Sequence, residues 1–219
     1  MEAEIPAKER LLRAGEYLFA REGIDRTRLS DINRIAEVRN DSAIHYYFGS
    51  REGLLEAIIV SHFVDVNSRM AELVDRLCTG REPSPQALRD AIAAQAIPLG
   101  EKLRDERGRD FMQILAEVYD RRGGITEGQY ASASTEARNL VRQCLTGMTD
   151  ALREERMRLM ANFIVSALAA RARACDDEAE LPLDHDAFVA NLIEMTTAAV
   201  AARPPSSVSP LPNHALDVE

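Results

Sequence analysis

The chain has 219 residues, of which 46% are hydrophobic and 29% are charged. This length and apolar content support one large globular domain or two small ones, and they exclude a disordered tail or a peptide hormone. The net charge of −9 means that general adhesion to nucleic acid or anionic lipid cannot follow from overall charge. Charge alone therefore argues against a DNA-binding protein.

The cysteines, Cys78, Cys144 and Cys175, are widely spaced and odd in number, which is typical of reduced thiols in a cytoplasmic protein rather than of a disulfide framework. No apolar run approaches the roughly 18 residues that a membrane helix needs. The N-terminus has two acidic residues before its first lysine and lacks the apolar core of a secretory signal. We therefore predict a cytoplasmic protein with no membrane partner.

Apolar residues recur at helical spacing along nearly the whole chain, without convincing period-2 alternation, which predicts an all-α fold. The first helix is expected to end at Gly23, Thr27 to cap the second, and Ser50 to cap a long fourth helix. The predicted helices of the N-terminal part span, in chain order, residues 7–22, 29–36, 40–48 and about 51–78.

The C-terminal part begins with a linker at 81–85, where Ser84 caps a helix and Pro85 opens it. Pro98 is expected to end that helix at Ile97, because proline lacks the backbone N–H that helix continuation uses. Asp184 is expected to cap the last helix. The further predicted helices span about 99–106, 109–122, 134–152, 155–174 and 186–202.

Three short helices followed by a long one are typical of a helix-turn-helix (HTH) protein. The predicted turn is Ala36-Glu37-Val38, and the helix at 40–48 is short enough to enter a major groove about 12 Å wide. Ile44 and Phe48 are predicted to face the core, braced by Ile32 and Ile35 of the second helix. The small, polar and tyrosine side chains on the other faces suit base edges and phosphate oxygens.

The segment from Thr27 to Ile58, TRLSDINRIAEVRNDSAIHYYFGSREGLLEAI, resembles the DNA-binding domain of the tetracycline-repressor (TetR) family of bacterial transcription regulators. The matching elements are the Asp31-Ile32 pair, the Tyr46-Tyr47-Phe48 ending and the FGSREGLL run. The resemblance implies an N-terminal three-helix HTH DNA-binding domain at 1–52, with the HTH segment at about 29–48. It also implies a larger C-terminal helical effector-binding and dimerisation domain at 53–202, and the proline-rich residues 203–219 are expected to form a disordered tail.

Carried over to this chain, the resemblance implies phosphate contacts from Thr27, Tyr46, Tyr47 and Arg51, and base contacts from Arg39, Asn40, Ser42, Ala43 and His45. The third helix is one residue longer than the commonest form of the family. Glu37 stands where the family commonly has glycine, in a left-handed turn that costs a non-glycine residue on the order of 1 kcal/mol.

The resemblance further implies a homodimer, formed through the apolar helices at 155–174 and 186–202, on a palindromic DNA operator. The default function is repression that a small-molecule effector relieves. Methionines outnumber aromatic residues after residue 64, which favours a flexible apolar effector, and Met112, Tyr119 and Phe163 are the candidate lining residues. Neither a cofactor nor a metal is predicted, because no histidine has a partner at metal-ligand spacing.

Two alternatives remain. One is a helical ligand-binding or scaffold protein of the same fold that has lost specific DNA binding, which Glu37 and the acidic composition favour. The other is a helical-bundle enzyme, for which the sequence offers no catalytic motif. The first 60 residues carry a net charge of −2 and the remainder −7, so DNA affinity must come from a few placed groups, with weak nonspecific binding.

Overall fold

The structure is a computed structural model that describes residues 5–78, 81–122 and 132–204. Within these ranges the chain forms helices joined by turns, with no strand, which confirms the predicted all-α fold. The helices, in chain order, are α1 (Ala7–Glu22), α2 (Leu29–Ile35), α3 (Ala43–Phe48), α4 (Arg51–Cys78), α5 (Pro85–Glu101), α6 (Glu106–Arg122), α7 (Ser132–Cys144), α8 (Asp150–Asp176) and α9 (His185–Ala201), with a short 3-10 helix, Lys102–Arg104, between α5 and α6.

Helices α1 to α3 pack around the first turns of α4, because each presents an apolar stripe to a shared core. The predicted end of α1 is confirmed, since Gly23 follows it with a φ of +91°, a backbone conformation that suits glycine. The predicted cap of α4 is confirmed as well, since Ser50 Oγ accepts the N–H of Gly53 at 3.1 Å. The buried residues that join the four helices are Leu11, Phe19, Ile32, Ile44 and Ile58.

The predicted start of α3 is wrong by three residues. The Oδ1 of Asn40 accepts the N–H of Ser42 at 2.9 Å, a local turn that competes with helix formation, so α3 begins only at Ala43. The prediction that Ile35 braces the core is also wrong. Ile35 is exposed, and the buried residue at the end of α2 is Ala36.

Helix α5 passes through Pro98 and ends at Glu101, which contradicts the predicted stop at Ile97. The reason is tertiary packing: Pro98 is itself buried within a helix whose surroundings are largely buried, so the apolar contacts outweigh one missing hydrogen bond. Gly100 lets α5 approach α9 closely, since a Cβ there would lie 2.9 Å from Cγ2 of Val189.

The chain between α7 and α8 also differs from the prediction. Helix α7 ends at Cys144 rather than near residue 152, and α8 begins at Asp150. Gly147 in the connection has a φ of +72°, and the Thr149 side chain caps α8 by accepting the N–H of Leu152. The predicted caps Ser84 and Asp184 are both confirmed.

The helices after α4 form one bundle in which α5 packs on α4, α7 and α9, and α6 packs on α8. Helix α1 also packs against α6, so the N-terminal helices contact the bundle at a second place besides α4. No helix in the described ranges has the length and apolar content needed to cross a membrane. The predicted tail lies outside the described residues from position 205 onward.

Candidate nucleic-acid interface

The turn between α2 and α3 has the left-handed backbone that the sequence predicted. Glu37 has a φ of +54°, although it is not glycine, and its side chain is exposed. Its neighbour Val38 donates its N–H to the carbonyl oxygen of Asn33 at 2.9 Å, which fixes the turn. The chain therefore holds a strained residue within the HTH itself.

We expect the substitution Glu37→Gly to raise the free energy of unfolding by about 0.5 to 1 kcal/mol, because glycine adopts positive φ without steric cost. It should also tighten operator binding, since a carboxylate leaves the surface that would face phosphates. Urea denaturation and a DNA titration measure the two effects.

Glu178→Gly is the matched control, because Glu178 has a φ of +53° in the turn between α8 and α9. That control should gain stability without a change in DNA affinity, and a Glu37→Gly protein with neither gain would contradict the prediction.

Asn33 positions α3 and was not singled out from the sequence. It is buried in α2, and its Nδ2 donates to the carbonyl oxygen of Asp41 at 3.3 Å. An asparagine at a position that helical spacing assigns to the core is the signal that could have identified it. Together with the backbone bond to Val38, this contact holds both ends of the turn against α2.

The solvent-facing side of α3 and its N-terminal turn carries most of the predicted contact residues. Tyr46 is 81% exposed, and its ring meets that of Tyr47 edge-on, with centroids 4.9 Å apart. His45 Nδ1 donates to the carbonyl oxygen of Gly49 at 3.0 Å, which leaves the Nε2 edge of its ring free of that bond. The exposed predicted residues that the structure brings together are Arg39, Asn40, Ser42, His45, Tyr46 and Tyr47.

Two of the predicted contact residues are buried. Thr27 is fully buried, and its Oγ1 donates toward the carbonyl oxygens of Gly23 and Leu18 at 2.9 and 3.2 Å. It neither caps α2 nor reaches solvent, because its hydroxyl closes the connection from α1. Ala43 is also buried, since the short α3 turns its first residue toward the core. Both residues therefore leave the candidate contact set.

Arg51 has an internal role that differs from the predicted phosphate contact. Its Nη1 donates to the carbonyl oxygens of Ile24 and Thr27 at 2.6 and 2.5 Å. The guanidinium thus joins the first turn of α4 to the α1–α2 connection. Arg28 is the exposed basic residue at the start of α2, next to the buried Thr27. Sequence alone could not decide whether Thr27 or its neighbour Arg28 faces the solvent.

The three predicted effector-lining residues do not share one environment. Met112 is fully buried in α6, and Tyr119, two turns further along, packs against the core. Burial raises the pKa of the Tyr119 hydroxyl. Phe163 lies on α8 with 39% of its surface exposed, so its surroundings differ from those of the other two residues, and the effector-lining role of all three stays a prediction. In the residues that the structure describes, no cluster of three or more His, Cys, Asp or Glu side chains could hold a metal ion.

A trihelical HTH that continues through one long helix into an all-helical bundle defines a structural class, the helix-turn-helix proteins with an attached α-helical bundle. Comparisons with known proteins specify the class further. The profile of the bacterial regulatory proteins of the tetR family matches residues 11–58. The HTH-type transcriptional repressor NicS of Pseudomonas putida is 33% identical over 86 residues, which are 39% of this chain and 38% of that protein.

Solved structures extend the likeness to the fold of the whole chain. SmeT, the repressor of the Stenotrophomonas maltophilia multidrug efflux pump SmeDEF, superposes with a TM-score of 0.55 at 20% identity, over 95% of this chain and 98% of SmeT. A TetR-like transcriptional regulator from Rhodococcus sp. RHA1 gives a TM-score of 0.53 at 20% identity, over 91% of this chain and 100% of that one. The match to the tetR-family profile is therefore confined to residues 11–58, and the solved structures show that the rest of the chain shares its fold with TetR-like proteins.

Proposed function

We propose that the protein is a DNA-binding transcriptional regulator, acting as a homodimeric repressor that a small apolar effector releases from a palindromic operator. The observation that carries the proposal is the exposed polar face of α3. Three core residues, Ala43, Ile44 and Phe48, anchor the helix, while tyrosines and small polar side chains stand on its outer side. Tyr46 is 81% exposed on this six-residue helix, and core packing does not account for so large an exposed aromatic side chain.

The proposed DNA-binding domain comprises residues 1–52, and its affinity would come from placed groups rather than from a positive field. Arg28 and Arg39 are exposed at the starts of α2 and of the turn before α3, where cations suit phosphate oxygens. Tyr46 and Tyr47 supply hydroxyls nearby. Because few cations are involved, binding should depend only moderately on salt.

The proposed dimer would form through the outer faces of α8 and α9 in residues 53–202. Large apolar side chains stand exposed there beside small residues that allow close helix approach, and both features are typical of a helical interface. A two-fold axis would then place the two α3 helices in major grooves about 34 Å apart or a multiple of that distance. The exposed residues concerned are Leu159, Phe163, Ser166 and Ala170 on α8 and Met195, Ala198 and Ala199 on α9.

Release would require an effector that binds one arrangement of the two half-sites better than the other. A coupling of about 1 to 3 kcal/mol corresponds to roughly 5 to 150-fold in operator affinity. Helix α4 is continuous from the HTH into the bundle, so it can carry such a change. The buried methionines of the core, Met70, Met112, Met157 and Met160, support a flexible apolar effector, because methionine side chains adapt to irregular apolar shapes.

Selection of bound fragments from genomic DNA tests the proposal. A DNA-binding regulator should enrich one palindromic site, whose binding weakens with salt in a mobility-shift titration. The alternative, a ligand-binding or scaffold protein that has lost DNA binding, is favoured by the strained, acidic Glu37 in the turn. It predicts that no sequence is enriched.

We expect Tyr46→Phe and Tyr47→Phe each to weaken binding to the DNA site that this selection identifies. The loss should be about fivefold, since each change removes a hydrogen bond worth about 1 kcal/mol. Titration of labelled DNA at constant salt measures the loss. Tyr17→Phe is the matched control, because Tyr17 is a tyrosine on α1 that is 43% exposed, close to the 39% of Tyr47. Equal affinities for all three variants would exclude the tyrosine pair from the interface.

A further inference from the structure

The contact between α1 and α6 is built from charged side chains, two of them buried carboxylates. Asp110 of α6 is only 3% exposed. Both of its oxygens accept from Nη1 of Arg21 on α1, at 2.8 and 2.9 Å. Arg21 also pairs through Nη2 with the exposed Glu106 at 2.8 Å. One arginine of the N-terminal helices is thus held by two acids of the bundle.

The second buried carboxylate of this contact lies on α1. Glu16 of α1 is 1% exposed, and its Oε1 accepts from Nε2 of His62 on α4 at 2.5 Å. Its Oε2 accepts from Nη2 and Nε of Arg107 on α6, at 2.8 and 3.1 Å. The His62 ring stacks on Phe111 of α6, with centroids 4.4 Å apart. Glu16 therefore joins three helices through charge.

Further polar contacts continue this interface past the end of α1. The backbone N–H of Ile24 donates to the carboxylate of Glu117 on α6, at 3.1 and 3.2 Å. Asp25, which follows α1, pairs with Arg121 on α6. At the other end, a groove of about 580 Å³ reaches His62 and Arg107. Water can therefore approach a cluster whose central carboxylates are buried.

Burial has the largest effect on the pKa of Asp110. It raises the pKa of this carboxyl to about 6, while the hydrogen bond and the positive charge of Arg21 oppose the rise. The negative charges of Glu16 and of Asp176 on α8 raise the pKa further. The charged or titratable groups that face Asp110 or its partners are Glu16, Tyr17 and Arg21 on α1, His62 on α4, Glu106, Arg107 and Arg109 on α6 and Asp176 on α8.

We propose that this charge cluster is a proton-sensitive latch that holds α1, and with it α2 and α3, against α6. When α1 leaves α6, Asp110 becomes hydrated and regains an ordinary carboxyl pKa near 3.8. The docked arrangement then binds the proton more tightly than the undocked one. By linkage, acidification from pH 7 to pH 5 favours docking, and raising the pH through about 6 weakens it.

The two pKa values set the size of the effect. At pH 5 the docked carboxyl is largely protonated and the undocked one is ionised, whereas at pH 7 both are ionised. The equilibrium between the two arrangements should therefore shift toward docking by about tenfold between pH 7 and pH 5. An effect of this shift on operator affinity rests on the proposed function. The latch itself does not depend on that function.

Amide hydrogen exchange of the full chain, followed by NMR without DNA, tests the latch. The reporter is the N–H of Ile24, whose partner carboxylate lies on α6, so undocking frees it for exchange. After correction for the intrinsic pH dependence of exchange, its opening should be about tenfold more frequent at pH 7 than at pH 5. Asp110→Asn, which approximates the protonated carboxyl, should hold opening at the low value at both pH values.

Glu106→Gln is the matched control, because Glu106 binds the same arginine from an exposed position, and it should keep the tenfold dependence. A wild-type opening that is independent of pH would overturn the proposal, as would a loss of the dependence in Glu106→Gln. A direct ¹³C titration of the Asp110 carboxyl in the wild-type protein needs no variant to fold. A midpoint near 4 would overturn the latch, and a midpoint near 6 supports it.

Discussion

Replacing Phe163 with aspartate is expected to convert the proposed dimer to a monomer. Phe163 stands 39% exposed on the outer face of α8, one turn from Leu159, which is 51% exposed. In a two-fold dimer each substitution counts twice, because the same patch faces itself across the axis. Two unpaired charges in an apolar interface cost several kcal/mol. The dimer dissociation constant should therefore rise by more than about a hundredfold.

Light scattering coupled to size exclusion, over a range of protein concentrations, measures the change. Val64→Asp is the matched control, because Val64 is an exposed apolar residue of α4, away from α8 and α9. The control should keep the wild-type mass and helix content. If Phe163→Asp also remains dimeric, the proposed interface is wrong. If it is monomeric, its affinity for a selected palindrome should fall with the lost second half-site.

Local signals were sufficient to predict several helix ends and the turn before α3. The bounds of α1 follow from its apolar period and from Gly23. The starts of α4, α5 and α9 follow from side-chain caps at Ser50, Ser84 and Asp184. Even the strained turn could be predicted, because only the resemblance and the residue type at position 37 are needed to expect a positive φ. Each of these features is decided by neighbours in sequence.

The wrong predictions concern contacts between distant parts of the chain. Pro98 remains helical because the surrounding bundle buries it, and no local rule describes that burial. Arg51 turns inward to two carbonyl oxygens that lie more than 20 residues away. Thr27 looks like an exposed cap in sequence, yet the fold buries its hydroxyl under α1. Side-chain direction at a helix start depends on tertiary packing, so sequence reasoning could place these residues in the domain but not on its surface.

The charge cluster between α1 and α6 shows the same limit more clearly. Glu16 occupies a core position of α1, and its partners His62 and Arg107 are 46 and 91 residues away. From sequence, an acidic chain predicts solvated carboxylates, which is the correct reading of most of them. The carboxylates that matter for coupling the two parts of the molecule are the few that the fold removes from water.

Glu16→Ala is expected to lower the free energy of unfolding by about 3 kcal/mol at pH 7. The substitution leaves the buried Nε2 of His62 without its acceptor and removes the carboxylate that compensates Arg107. Removing one member of a buried charged pair costs about 3 to 5 kcal/mol. The lower end applies here, because the Arg107 side chain is about half exposed and water can solvate it again.

Urea denaturation measures the loss, and Glu9→Ala is the matched control. Glu9 is also an acid on α1, but its pair with Arg13 is exposed on both sides, so its removal should cost less than about 1 kcal/mol. A double-mutant cycle of Glu16→Ala with His62→Ala separates the bond from the loss of packing, and a coupling above about 1 kcal/mol is expected. If Glu16→Ala were no more destabilising than Glu9→Ala, the cluster would contribute nothing to the docking of α1. A coupling near zero would instead assign the stability of the cluster to Arg107.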